Sequence, residues 1–106
     1  MDEIKKYNKL VRDKIPQIIE NNGATSTTHI ASDEEYNKKL KEKLSEEVTE
    51  FLEDSNPEEL ADILEVILAL SSSLGVNKEE LEQIRKEKAE KRGAFKEKII
   101  LDETKD

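Results

Sequence analysis

Apolar residues recur at helical spacing through the middle of the chain, and polar punctuation divides that pattern into segments. Residues 1–12 include Tyr7, Leu10 and Val11 among charges, with no clear period. From Asp13 the text reads DKIPQIIENNG. Pro16 suits a first helical turn and Asn22-Gly23 a stop, so a short helix is expected over roughly 13–22. ATSTTHIA (24–31) is rich in β-branched residues and follows a glycine, which predicts an extended segment able to serve as an edge strand. Ser32 with Glu35 fits a capping box, opening a long helix to about Asp54. Leu40, Leu44, Val48, Phe51 and Leu52 form its apolar stripe. Asn56-Pro57 ends one helix and starts the next, with Asn56 as the cap and Glu59 three residues on. That helix runs to about Leu74, where Gly75 supplies a left-handed stop. Asn77 and Glu80 open a further helix ending near Arg92-Gly93. Phe95 and Ile99–Leu101 suggest a short final extended piece, and Asp102–Asp106 a loose tail. The expected fold is all-α: a bundle centred on one helical hairpin, with short extended terminal segments.

The third helix is apolar nearly all round, with Leu60, Ala61, Ile63, Leu64, Val66, Ile67, Leu68, Ala69 and Leu70. Such a helix needs cover on most sides, and only 34% of the 106 residues are hydrophobic. Four aromatics (Tyr7, Tyr36, Phe51, Phe95) make a lean core. Completion by oligomerisation is therefore expected, as a homodimer or homotetramer that packs this helix against its copy.

The length implies a single domain over 1–106. No cysteine is present, which excludes disulfides, thiolate metal sites and cysteine nucleophiles. The opening MDEIKKYNKL lacks the apolar stretch of a secretory leader, and the apolar run Ile63–Leu70 is too short to cross a bilayer. An intracellular, cytoplasmic protein without a membrane partner is the expectation. The net charge of −8 argues against a nucleic-acid partner, because phosphate contacts need clustered cations. That average conceals a local feature. Residues 46–65 carry nine carboxylates and no Lys or Arg, while the remainder has 17 acids against 18 bases.

Within the window, Glu46, Glu47 and Glu50 lie on the second helix, and Glu59, Asp62 and Glu65 on the third. Spacings of three and four place side chains on one face. With Leu44 as the reference, Glu47 and Glu50 fall at the edge of the apolar stripe, while Glu46 is more peripheral. Folding the hairpin about residues 55–56 sets Glu50 level with Asp62 and Glu47 level with Glu65, with Glu59 one turn nearer the loop. Converging carboxylates raise one another's pKa and oppose folding. A hard divalent cation with oxygen ligands, Mg²⁺ or Mn²⁺, would compensate them. A solvated acidic face fits the same spacing. Glu53, Asp54 and Glu58 read as that face. His29 reads as an exposed loop residue.

The pattern E-E-x-x-E followed by E-x-x-D, here Glu46, Glu47, Glu50, Glu59 and Asp62, resembles the all-α NTP pyrophosphohydrolase superfamily, which includes MazG proteins, phosphoribosyl-ATP pyrophosphohydrolases and dimeric dUTPases. EELADILEVILAL is similar to that superfamily's second metal helix. YNKLVRDKIPQII near the start and KRGAF-x-x-x-I-x-L near the end resemble its phosphoribosyl-ATP pyrophosphohydrolase-like house-cleaning branch. The likeness spans about residues 7–101. It implies Mg²⁺-dependent cleavage of a nucleoside triphosphate between the α- and β-phosphates, giving a nucleoside monophosphate (or phosphoribosyl-AMP) and pyrophosphate. It implies Glu47, Glu50, Glu59 and Asp62 as metal ligands, with Glu46 beside them or orienting the attacking water. Only eight residues separate Glu50 from Glu59, a short hairpin for this superfamily with less room for base-recognition insertions. Residues 85–98 hold seven cations against three acids. Together with motif position, this marks Lys91 and Arg92, and in the N-terminal motif Lys9, Arg12 and Lys14, as candidates for gripping a triphosphate. A non-catalytic helical dimerisation or regulatory module is the competing expectation.

Overall fold

The computed structural model describes residues 3–106. It holds four helices: α1 (Ile15–Asn21), α2 (Asp33–Glu53), α3 (Pro57–Ser73) and α4 (Lys78–Arg92). The expected all-α architecture holds, and no strand forms among the described residues. The β-branched stretch 24–31 is irregular. A strand needs a partner ladder, and no other extended segment pairs with it.

The helix ends show why the chain breaks where it does. Asn56 Oδ1 accepts from the Glu59 amide at 3.1 Å, and Pro57 follows in the first turn. At α4 the capping box is complete: Asn77 Oδ1 accepts from the Glu80 amide at 2.9 Å, and Glu80 reaches back to the Asn77 amide at 3.4 Å. At α2 only half of the expected box forms. Ser32 Oγ accepts from the Glu35 amide, but the Glu35 carboxylate turns instead to His29 Nε2 at 2.9 Å. His29 is largely exposed, as expected, yet it has this partner.

The far end of α3 closes with a Schellman turn. Gly75, at φ +81, donates to the Ser72 carbonyl, and the Val76 amide donates to Ser71. Ser71, buried, donates its hydroxyl to the Val76 carbonyl at 2.7 Å. A buried hydroxyl thus locks the exit of α3.

The helices α2 and α3 form the hairpin. α4 packs on α3 alone, and α1 packs on no other helix. Only Leu40, Glu47, Val66 and Ser71 are buried among the described residues. Leu40 and Glu47 lie seven residues apart, about two turns, on one line of α2. Glu59 and Val66 have the same spacing on α3. The apolar stripe expected on α2 is thus rotated. Leu40 lies at its centre, while Val48 and especially Leu52, 74% exposed, form an outer edge. On α3, Leu60, Leu64 and Ile67 also face outward.

Candidate metal centre

The inward lines of α2 and α3 that begin with Leu40 and Val66 continue, toward the hairpin turn, as carboxylates. Glu47, Glu50 and Glu59 each offer an oxygen, and the three oxygens lie within 4.8 Å of one another. Glu47 is buried at 6% exposure, and Glu50 and Glu59 are half-buried. One Glu47 oxygen and one Glu59 oxygen, both Oε2, are shut off from solvent without a hydrogen-bond partner. Buried oxygens of this kind are costly unless something donates to or coordinates them.

Local structure explains why Glu59 is free to join. The Asn56 amide, which a capping-box Glu59 would take, already donates to the Asp54 carbonyl at 2.8 Å. Glu59 therefore contributes its backbone to the cap and its carboxylate to the cluster.

Glu47's carboxyl is pushed above its ordinary range. Burial is the main cause, and sharing a hydrogen bond with Glu50 and repulsion from it add to the rise, while Lys43 opposes it. A Glu47–Glu50 hydrogen bond requires a shared proton. With both groups ionised, Glu47 Oε2 stands unpartnered. Both descriptions express the same excess of negative charge.

The register expected from the folded hairpin needs correction. Glu65, expected level with Glu47, is exposed and outside the cluster. It sits one residue before Val66 and is turned about 100° from the inward line. Glu59, expected one turn too near the loop, is the α3 residue that meets Glu47 and Glu50. Asp62 is half-buried beside this line, but its Oδ1 accepts from Arg12 Nη2 at 2.7 Å. Glu46 is peripheral, as the angles imply, and pairs with Lys9 at 3.3 Å.

The cluster is also less bare of cations than the sequence window suggests. Lys43 Nζ lies 3.4 Å from Glu47 and 3.7 Å from Glu46. Sequence reasoning missed it because it sits just before the acidic window. Its spacing of three and four to Glu46 and Glu47 was the available signal.

Of the five candidate phosphate-binding cations, Lys9 and Arg12 lie at the acids. Lys14 sits at the N-cap position of α1, makes no capping hydrogen bond with its side chain and is exposed. Lys91 and Arg92 are exposed in the last turn of α4, and among the described residues no ion pair joins them to the acids.

Compared with known proteins, the chain matches no family model, no curated relative and no solved structure. No described helix is long and apolar enough to cross a membrane.

The donor set suits a hard cation. Three carboxylates on two rigid helices, with two orphaned oxygens, match the oxygen-only preference of Mg²⁺ and Mn²⁺ and leave positions for water or phosphate.

Proposed function

We propose that the chain is a divalent-cation-dependent nucleoside triphosphate pyrophosphohydrolase. It would cleave between the α- and β-phosphates to release pyrophosphate and a nucleoside monophosphate, or phosphoribosyl-AMP from a phosphoribosyl-ATP-like substrate. The observation that carries this reading is the buried Glu47 carboxylate, with an unpartnered oxygen, meeting Glu50 one turn along α2 and Glu59 across the hairpin. The resemblance of the E-E-x-x-E and E-x-x-D pattern to the MazG-like superfamily supplies the reaction type.

Glu47, Glu50 and Glu59 would hold Mg²⁺, with Mn²⁺ as an alternative, and Asp62 would complete the set. When bound, the ion neutralises phosphate charge and lowers the pKa of a coordinated water. Glu47 holds its carboxylate fixed by burial, so it also serves to position that water. Glu46, at the rim, is the candidate to orient it. Arg12, Lys9 and Lys14 would draw the triphosphate to the acidic end of the hairpin. Lys91 and Arg92 have the weaker case, resting on charge and motif position.

The proposal includes a second copy of the chain, in a homodimer or homotetramer. The accessible surface is 10094 Å², where a folded monomer of 12.2 kDa exposes about 6,000 Å². The radius of gyration is 18.8 Å against about 13 Å for a compact chain of this length. Leu60, Leu64 and Ile67 repeat at steps of four and three, the spacing of a helix-packing seam, and remain exposed. A cytoplasmic location accords with a nucleotide substrate.

The seam is also what favours a second reading, a non-catalytic helical dimerisation or regulatory module. The two readings separate by metal. A panel of nucleoside triphosphates is incubated with Mg²⁺ or EDTA, using the wild type and Glu47→Gln. Pyrophosphate released only by the wild type with Mg²⁺ supports the enzyme. No turnover of any triphosphate, together with a melting temperature indifferent to Mg²⁺, supports the module.

A further inference from the structure

The segment before α1 runs along the hairpin to its acidic end and is pinned at three points, the last two of them at the carboxylates. Lys39 Nζ, from α2, donates to the Asn8 carbonyl at 2.7 Å. Lys9 pairs with Glu46 on α2 at 3.3 Å, and Arg12 with Asp62 on α3 at 2.7 Å. Asn8 turns the chain at φ +50, a conformation Asn tolerates better than most residues. Lys9 also lies over the Tyr7 ring at 5.9 Å from its centroid. The strap thus ties both helices together through residues 37 and 50 positions apart in sequence.

Its two cations are not placed as phosphate ligands in this arrangement. They are counter-ions of the site's own carboxylates. Asp62 is excluded from the three-carboxylate cluster while Arg12 holds it. A divalent cation that recruits Asp62 through Oδ1 competes with that guanidinium for the oxygen. A triphosphate, in turn, needs a guanidinium free of Asp62. The two demands point the same way.

We propose that residues 8–12 form a displaceable internal counter-ion strap, and that Arg12 is a relay residue: it holds Asp62 in the metal-free protein and passes to substrate phosphate when Asp62 turns to a divalent cation. This rests on the metal-site reading above and adds to it an order. Metal and phosphate promote each other's binding because each removes the partner that the other must displace. Lys9 follows Arg12 more loosely, since Glu46 lies outside the cluster.

The coupling is modest. Both partners of the Arg12–Asp62 pair are more than a third exposed. Exposed pairs contribute little, which limits the expected change in metal affinity to about fivefold or less.

Mn²⁺ is the probe, with free ion read from its EPR signal, in the absence of nucleotide. Arg12→Gln binds Mn²⁺ about two- to fivefold more tightly than the wild type. Lys14→Gln, which removes a charge two positions along the chain that holds no acid, leaves the affinity unchanged. Trypsin cleavage after Lys9 in the wild type speeds up when Mg²⁺ replaces EDTA, and in Arg12→Gln it is already fast in EDTA. Equal or weaker Mn²⁺ binding by Arg12→Gln overturns the strap. Equal tightening by Lys14→Gln also overturns it, since general charge then explains the effect. Mn²⁺ binding to none of the three proteins overturns the metal site itself, a separate outcome.

Discussion

Replacing Glu47 with Gln is expected to stabilise the metal-free protein and to abolish its response to metal. Glu47 is 6% exposed and holds one solvent-excluded oxygen without a partner. Leaving such an atom unsatisfied costs about 1–3 kcal/mol. The Gln amide can donate to Glu50, where the carboxylate cannot unless it is protonated. Against this, the substitution weakens the pair with Lys43, worth up to about 1 kcal/mol. With about 2 kcal/mol, the middle of that range, for the orphaned atom and up to about 1 kcal/mol for the lost pair, the net expected gain is about 1–2 kcal/mol, a rise in melting temperature of at least about 4 °C for a domain of this size. The order reverses with Mg²⁺. At a hundredfold excess over its dissociation constant, a ligand adds about 2.7 kcal/mol to the wild type, and far less to a variant lacking a principal ligand. The assay is thermal unfolding by circular dichroism at fixed protomer concentration, in EDTA and in Mg²⁺. pH gives a further check. Because the folded pKa of Glu47 is raised, the folded protein keeps a proton that the unfolded chain releases. That contribution is full below the unfolded value and is lost as pH rises through the folded one. The gap between Glu47→Gln and wild type in EDTA therefore widens as pH climbs past the ordinary carboxylate range. A variant no more stable than wild type in EDTA at neutral pH refutes the claim that this carboxylate is uncompensated.

Three further outcomes are expected. Leu40→Ala empties the most buried apolar position, at 2% exposure, and lowers stability by about 2–5 kcal/mol in urea unfolding. Leu64→Glu places a charge on the exposed α3 seam and shifts sedimentation toward the monomer if a second copy packs there; an unchanged oligomer contradicts that packing. Gly75→Ala costs about 1 kcal/mol in urea unfolding, because its φ of +81 strains any residue bearing a Cβ even though the space around it is open.

What was legible in the sequence follows a physical divide. Helix ends depend on local chemistry, so Asn56-Pro57, Gly75 and the Asn77–Glu80 box were readable from neighbours alone. Glu47 and Glu50 were placed near the core by angular spacing on one helix, and the structure buries the first and half-buries the second. Contacts between distant segments were harder. The stretch 24–31 reads as an extended segment able to serve as an edge strand, but it pairs with nothing, and the presence of a partner ladder is not a matter of local propensity. The hairpin register misassigned Glu65 because counting along the loop ignores the turn of α3 about its own axis. The seven-residue step from Glu59 to Val66 would have corrected it. The Arg12–Asp62 pair spans 50 positions and left no periodic trace, although both residues were singled out, one for phosphate and one for metal. The exposed Leu60, Leu64 and Ile67 accord with the reading of α3 as apolar nearly all round.

The most direct test of the proposed activity is the identity of its products. Phosphorus NMR of the wild-type protein incubated with Mg²⁺ and a panel of nucleoside triphosphates should show a pyrophosphate signal growing with an equal amount of nucleoside monophosphate. Neither should appear with EDTA or with Glu50→Gln. Orthophosphate with nucleoside diphosphate instead, or intact triphosphate throughout the panel, would contradict it.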